Sequence, residues 1–242
     1  MPIKKIDLTR DTMQNCAVII NMANASDNAP RAYSRREEIW SASIHGAGIA
    51  FGVAAVAILA TFSAIYQDAW AIVGTSIFGA SIILLYTAST LYHAASREKL
   101  KKALKKFDHI SIYYLIAGSY TPFLFVNIKG AMGWTIFGII WGLAILGTTL
   151  KLCTAANGTK AWSIALYLLM GWLIIGVIWK LLLVMPISGV VFLALGGLSY
   201  TLGVAFYVQK KKAFSHAIWH GFVLAGTVFH FFAVLFSCAL VD

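Results

Sequence analysis

Ser89, His93, Asp108, His216 and His220 are far apart in the chain, yet each falls near the same end of a different apolar segment or begins one. Ionisable side chains are costly in hydrocarbon, so those in apolar segments face the bundle interior and mark a site or a pathway. Ser89 and His93 are four residues apart, as are His216 and His220, which puts each pair on one face of a helix. The imidazoles of His93, His216 and His220 offer three neutral nitrogen ligands and leave a fourth position open, the arrangement of catalytic rather than closed structural zinc. Asp108 is then placed to orient or deprotonate a metal-activated water, directly or through a ligand imidazole. Ser89 is placed to hydrogen-bond that water or a developing oxyanion. The stretch His216-Ala217-Ile218-Trp219-His220 lacks the glutamate of HExxH, so a zincin mechanism does not fit. The blander alternative is a set of interhelical hydrogen bonds near the interface.

The remaining polar residues divide by position. His45 lies one to two turns inside the first apolar segment at the same end, preceded by Glu37 and Glu38, which leaves a supporting role open to it without assigning one. His109 adjoins Asp108 but points about 100° away on a helix, which predicts packing or interfacial solvation. His230 lies deeper in the last segment, where an interhelical hydrogen bond is expected. Pro122 interrupts the third segment and frees the carbonyl of Gly118, predicting a kink beside Ser119, Tyr120 and Thr121. Gly46, Gly48, Gly52, Gly196, Gly197 and Gly203 predict close helix approach, and Trp134, Trp141, Trp162 and Trp179 predict interfacial anchoring.

Helices must carry these residues. Of 242 residues, 60% are hydrophobic and 12% charged, and the mean hydropathy is +0.80, outside the range of soluble domains. A helix needs about 20 apolar residues to cross a bilayer core. Hydropathy, with breaks at charges, glycines and prolines, predicts seven spans at about residues 39–66, 69–95, 107–127, 131–152, 161–184, 189–208 and 214–240. The expected architecture is an all-α integral membrane protein, a seven-transmembrane helix bundle of residues 37–242 behind an N-terminal tail of residues 1–36. Short connections predict antiparallel neighbours. The run from Cys16 to Ala25 resembles a signal peptide only weakly, because Asp7, Arg10 and Asp11 crowd its start and Asn21 and Asn24 interrupt it.

The formal charge of +10 sits in loops. Of the 19 Lys and Arg residues, only Lys129 and Lys180 fall on the side opposite the N-terminus. By the positive-inside rule this predicts a cytoplasmic N-terminus and an outside C-terminus. The basic run Arg97 to Lys106 has no interleaved aromatic residue, and the anionic inner leaflet competes for it; membrane lipids, and not nucleic acid, are the expected partners. Cys16, Cys153 and Cys238 form no CxxC pair and are expected to be unpaired.

The chain resembles the bacterial hemolysin III family, which is related to the progestin and adipoQ receptors that include the adiponectin receptors. The resemblance rests on Glu37-Glu38 followed by His45-Gly46, Ser89-Thr90-Leu91-Tyr92-His93, Phe107-Asp108-His109, Ala117-Gly118-Ser119-Tyr120-Thr121-Pro122-Phe123 and His216-Ala217-Ile218-Trp219-His220-Gly221. It implies zinc (Zn2+) held by His93, His216 and His220, with Ser89 and Asp108 around the metal-bound water, in a multi-pass protein of the bacterial inner membrane. The wider group also resembles alkaline ceramidases, which implies hydrolysis of a lipid amide such as ceramide. Bacterial members are named for haemolysis and are linked to membrane lipid homeostasis. Three readings follow: a zinc-dependent hydrolase of membrane lipids, a pore-forming cytolysin or channel, and a non-catalytic regulator with a structural metal. The cytolysin reading needs oligomerisation or a polar helix face running across the membrane, and the apolar outer halves of most segments offer no such face.

Overall fold

Capping chemistry sets where the first helices begin. The computed structural model describes residues 33–153, 161–209 and 211–240; most of the expected N-terminal tail, including Cys16 and the weak signal-like run, lies outside them. Helix α1 (Arg35–Tyr66) starts at Ser34, whose hydroxyl accepts from the Glu37 N–H while the Glu37 carboxylate accepts from the Ser34 N–H, a reciprocal cap that satisfies two otherwise orphaned donors. Helix α2 (Ala69–Ala94) starts at Asp68, whose carboxylate accepts from the Ala71 N–H at 3.0 Å. Lys129 reaches the other Asp68 oxygen at 3.2 Å from the connection after α3. The Ala71 N–H first, and then Lys129, hold this carboxyl below its usual range, so it stays ionised as a clamp between two loops.

The remaining helices are α3 (Glu98–Val126), α4 (Ala131–Cys153), α5 (Ala161–Val184), α6 (Ile187–Tyr207) and α7 (Ser215–Ala239). All described secondary structure is helical. The seven expected segments therefore each contain a helix. Six are long and apolar enough to cross a membrane. Helix α3 is the exception. It begins nine residues before the expected boundary, with a charged first stretch, and from Asp108 to Phe125 it is buried almost continuously. A helix enclosed by protein can keep the Ser, Thr and Tyr side chains that a lipid-facing one cannot.

Helix α1 packs on α2 and α7, α2 on α3, α3 on α4 and α5, α5 on α6, and α6 on α7, which closes the ring. Without a hydrophobic driving force between helices in lipid, close approach matters most. At Gly48 a Cβ would stand 2.6 Å from the Tyr86 ring, and at Gly52 2.8 Å from Ile82. Gly196 faces His230 and Gly203 faces Trp219 in the same way. Gly46 and Gly197 differ from expectation, since an added Cβ at either meets nothing within 4 Å. Helical phase explains this: the backbone approaches its neighbour on one face only, and these two glycines are off it. Outward-facing side chains such as Leu152, Leu183 and Ile187 are exposed, as a hydrocarbon environment requires.

One feature of α5 has no counterpart in the hydropathy pattern. Its α-helical path to Trp172 gives way to a 3-10 stretch, Leu173–Val177, before resuming at Ile178–Val184. The Tyr120 hydroxyl, from α3, fills the break: it accepts from the Ile174 N–H at 2.8 Å and donates towards the carbonyl oxygens of Met170 at 2.8 Å and Gly171 at 3.0 Å. Broken helices are tolerated at membrane depth when such freed backbone groups find partners. Tyr120→Phe leaves them without one. Thermal unfolding in detergent should show a loss of about 1–3 kcal/mol; an unchanged melting temperature would remove the hydroxyl from its bridging role.

Candidate metal centre

The site is assembled from the first turns of α1 and α7 and the last turn of α2. His93 is at its centre. Its Nε2 lies 3.0 Å from His220 Nε2 and 3.3 Å from His216 Nε2, and one nitrogen of each ring lies within 4.8 Å of the others. Its Nδ1 is 2.6 Å from Glu38 Oε2, while Glu38 Oε1 accepts from Lys101 Nζ at 2.8 Å. Side chains from α3, α1, α2 and α7 thus form one connected chain.

The tautomers carry a chemical statement. A carboxylate beside Nδ1 fixes the proton there, so neutral His93 presents only a lone pair at Nε2. One lone pair accepts at best one of the two converging Nε2 groups in line, so the three nitrogens are not all satisfied by hydrogen bonds among themselves. A cation among the three resolves this. Tetrahedral ligands at about 2.0–2.1 Å place their nitrogens roughly 3.3 Å apart, close to the separations seen. The donor set also suits zinc: three neutral imidazoles, one backed by a carboxylate.

The other residues singled out in the sequence gather nearby. Asp108 is buried and within electrostatic reach of His93, Lys105 and Lys151. Ser89 is fully buried beside it, with its hydroxyl in hydrogen-bonding reach of the Asp108 carboxylate. His45 packs edge-on to His220, with ring centroids 3.8 Å apart. Its support is by packing. His109 is buried, with Nε2 3.5 Å from the Tyr207 hydroxyl, and its carbonyl accepts from Tyr167. His230 packs against Tyr200 and Gly196, and its ring lies in hydrogen-bonding reach of the Leu193 backbone on α6, the expected interhelical contact.

Four contributors carry no site role in the sequence reading. Glu38 was grouped with His45 as an accessory, yet it orients His93. Lys101 and Lys151 were read as orientation charges, yet Lys101 anchors Glu38 and Lys151 is buried on the Asp108 side. Glu37 has a positioning role: its Oε1 accepts from the Phe214 N–H at 2.7 Å. Phe214 caps α7 with φ 58°, a left-handed conformation that is strained for a bulky residue. The Glu37 bond holds this bend, and His216 and His220 follow directly from it. A charged residue at the mouth of a span, adjacent to a family motif, was the available signal.

The comparisons agree with this architecture. The family model described as Haemolysin-III related matches residues 33–231. The chain is 43% identical over 209 residues to the "Hemolysin-3 homolog" of Bacillus subtilis (strain 168), covering 86% of this chain and 98% of that one. It is 42% identical over 201 residues to "Hemolysin-3" of Bacillus cereus, covering 83% and 91%. Similarity extends to the human "Monocyte to macrophage differentiation factor", 29% identical over 174 residues and covering 69% and 71%. The ring of helices, the three converging imidazoles and these matches identify a multi-pass membrane protein that belongs to the haemolysin-III-related family.

Proposed function

We propose that the chain holds zinc through His93, His216 and His220 and uses it to hydrolyse an amide of a membrane lipid, acting in membrane lipid homeostasis. The observation that carries this reading is the convergence of three imidazole nitrogens around a His93 oriented by Glu38. Zinc in such a site supplies Lewis acidity and a lowered pKa for water. Asp108 is the proton carrier: it takes a proton from the water attacking the carbonyl carbon and delivers it to the amine nitrogen as the C–N bond breaks. Ser89, whose hydroxyl lies beside the Asp108 carboxylate, donates to the carbonyl oxygen as charge develops there.

A place for the acyl chain supports the lipid reading. An apolar cavity between α3, α5, α6 and α7 is lined by residues including Ile112, Ile116, Leu168, Val204 and Val223. It reaches Tyr207, whose ring centroid is 6.0 Å from that of His216. A water-soluble substrate has little reason to enter such walls, whereas a lipid chain gains by leaving neither hydrocarbon nor protein. The basic residues on one side support a cytoplasmic N-terminus and a bacterial inner-membrane location, which puts the site near the cytoplasmic face.

Purified wild type should contain near one zinc per chain by elemental mass spectrometry, and the His93→Ala/His216→Ala/His220→Ala variant none. In the same measurement Glu38→Gln should bind zinc about 10–100-fold more weakly. Equal zinc in all three would sink the site. Asp108→Asn should keep its zinc and lose ceramide hydrolysis. Full hydrolysis in that variant would remove the proton-carrier role, while zinc without hydrolysis in the wild type would favour a metal-stabilised regulator. For topology, exposed Cys153 at the end of α4 should resist a membrane-impermeant maleimide in intact cells and react after permeabilisation; labelling of intact cells would reverse the orientation.

A further inference from the structure

A second binding feature lies on the outside of the bundle, away from the imidazoles. Trp40 and Ile44 of α1, with Phe214, Ile218, Gly221 and Phe229, line an apolar trough of about 610 Å³ along the α1–α7 seam. From Phe214 to Phe229 the trough follows α7 for about 22 Å at 1.5 Å per residue, enough to take an acyl chain through the roughly 15 Å of hydrocarbon in one leaflet. At Gly221 an added Cβ meets nothing within 4 Å, so the trough is open space and not a packed seam.

Its mouth is basic. Arg36, Trp40 and Ile44 follow one another at i, i+4 and i+8 and share one face of α1, placing Arg36 one turn above the Trp40 wall. Lys211 and Lys212 come just before Phe214. The Glu37–Phe214 hydrogen bond brings their loop to the first turn of α1. All three basic side chains are exposed, and none forms an ion pair with another described residue.

We propose that this trough is a site for one anionic phospholipid, with an acyl chain along α7 and the phosphate among Arg36, Lys211 and Lys212. Charge decides the occupant. A second copy of the chain docked here by twofold symmetry would bring two basic mouths together, whereas the leaflet supplies a ligand with an apolar tail and an anionic head in the required order. A lipid seated across α1 and α7 also braces the seam at which Glu37 meets Phe214 and His45 meets His220. The proposal stands independently of whether the imidazoles hold zinc.

Native mass spectrometry of the full-length protein, with added palmitoyl-oleoyl phosphatidylglycerol or phosphatidylcholine, tests it. Wild type should retain one phosphatidylglycerol per chain in preference to phosphatidylcholine. Arg36→Gln/Lys211→Gln/Lys212→Gln should bind phosphatidylglycerol roughly 100-fold more weakly, three charges at about fivefold each. Gly221→Leu, at a position where an added Cβ meets nothing within 4 Å, should occupy the trough and lower retention of both lipids while keeping the wild-type melting temperature in detergent. Equal retention of the two lipids by wild type, or undiminished phosphatidylglycerol in both variants, overturns the site. A Gly221→Leu protein that changes from dimer to monomer with no loss of lipid assigns the trough to a second copy instead.

Discussion

The position of His93 between Glu38 and the two α7 imidazoles is the interaction on which the polar end of this bundle depends. In hydrocarbon every polar group must find its partner inside the protein, and His93 has one nitrogen for each side: Nδ1 for α1 through Glu38, Nε2 for α7 through His216 and His220. The Lys101–Glu38 contact carries the same network into α3. Four helices therefore share one electrostatic junction, and the depth at which each enters the bundle is set against the others there. Below it, Tyr86 and Tyr200 meet at Thr227, at 2.7 and 2.9 Å, giving α2, α6 and α7 a second, uncharged junction at greater depth.

These junctions divide the labour with the glycine contacts. Glycines at the α1–α2 seam let the Tyr86 ring lie against the α1 backbone, and the ring in turn packs edge-on to His45, 4.8 Å away. His45 then meets His220. Close backbone approach and the placement of a metal ligand are thus successive steps of one packing chain. The imidazole of His45 contributes shape to this chain through its two edge-on ring contacts.

Much of this was legible in the residues. The helices announce themselves because lipid imposes a length and an apolar composition on anything that spans it. His93, His216 and His220 could be placed at one level because helical rise converts distance along a span into depth. What the pattern could not convey was which partner each polar group would find. Glu38 reads as an end-of-helix charge until the fold brings α2 against α1 and sets it 2.6 Å from His93. The break in α5 was equally invisible, since Leu173–Val177 is as apolar as its surroundings and its cause, the Tyr120 hydroxyl, belongs to another helix.

The hydrogen bond between Glu37 and Phe214 spans 177 positions of the chain, joining the first of the described helices to the entry of the last. Contacts of such sequence separation form late, because the intervening chain must be ordered first. The α7 entry bend and both of its imidazoles consequently have no template until α7 itself has been made. A chain truncated anywhere before α7 would keep the Glu38–His93 contact but leave His93 Nε2 without the imidazoles it faces. Completion of the polar junction therefore coincides with closure of the ring.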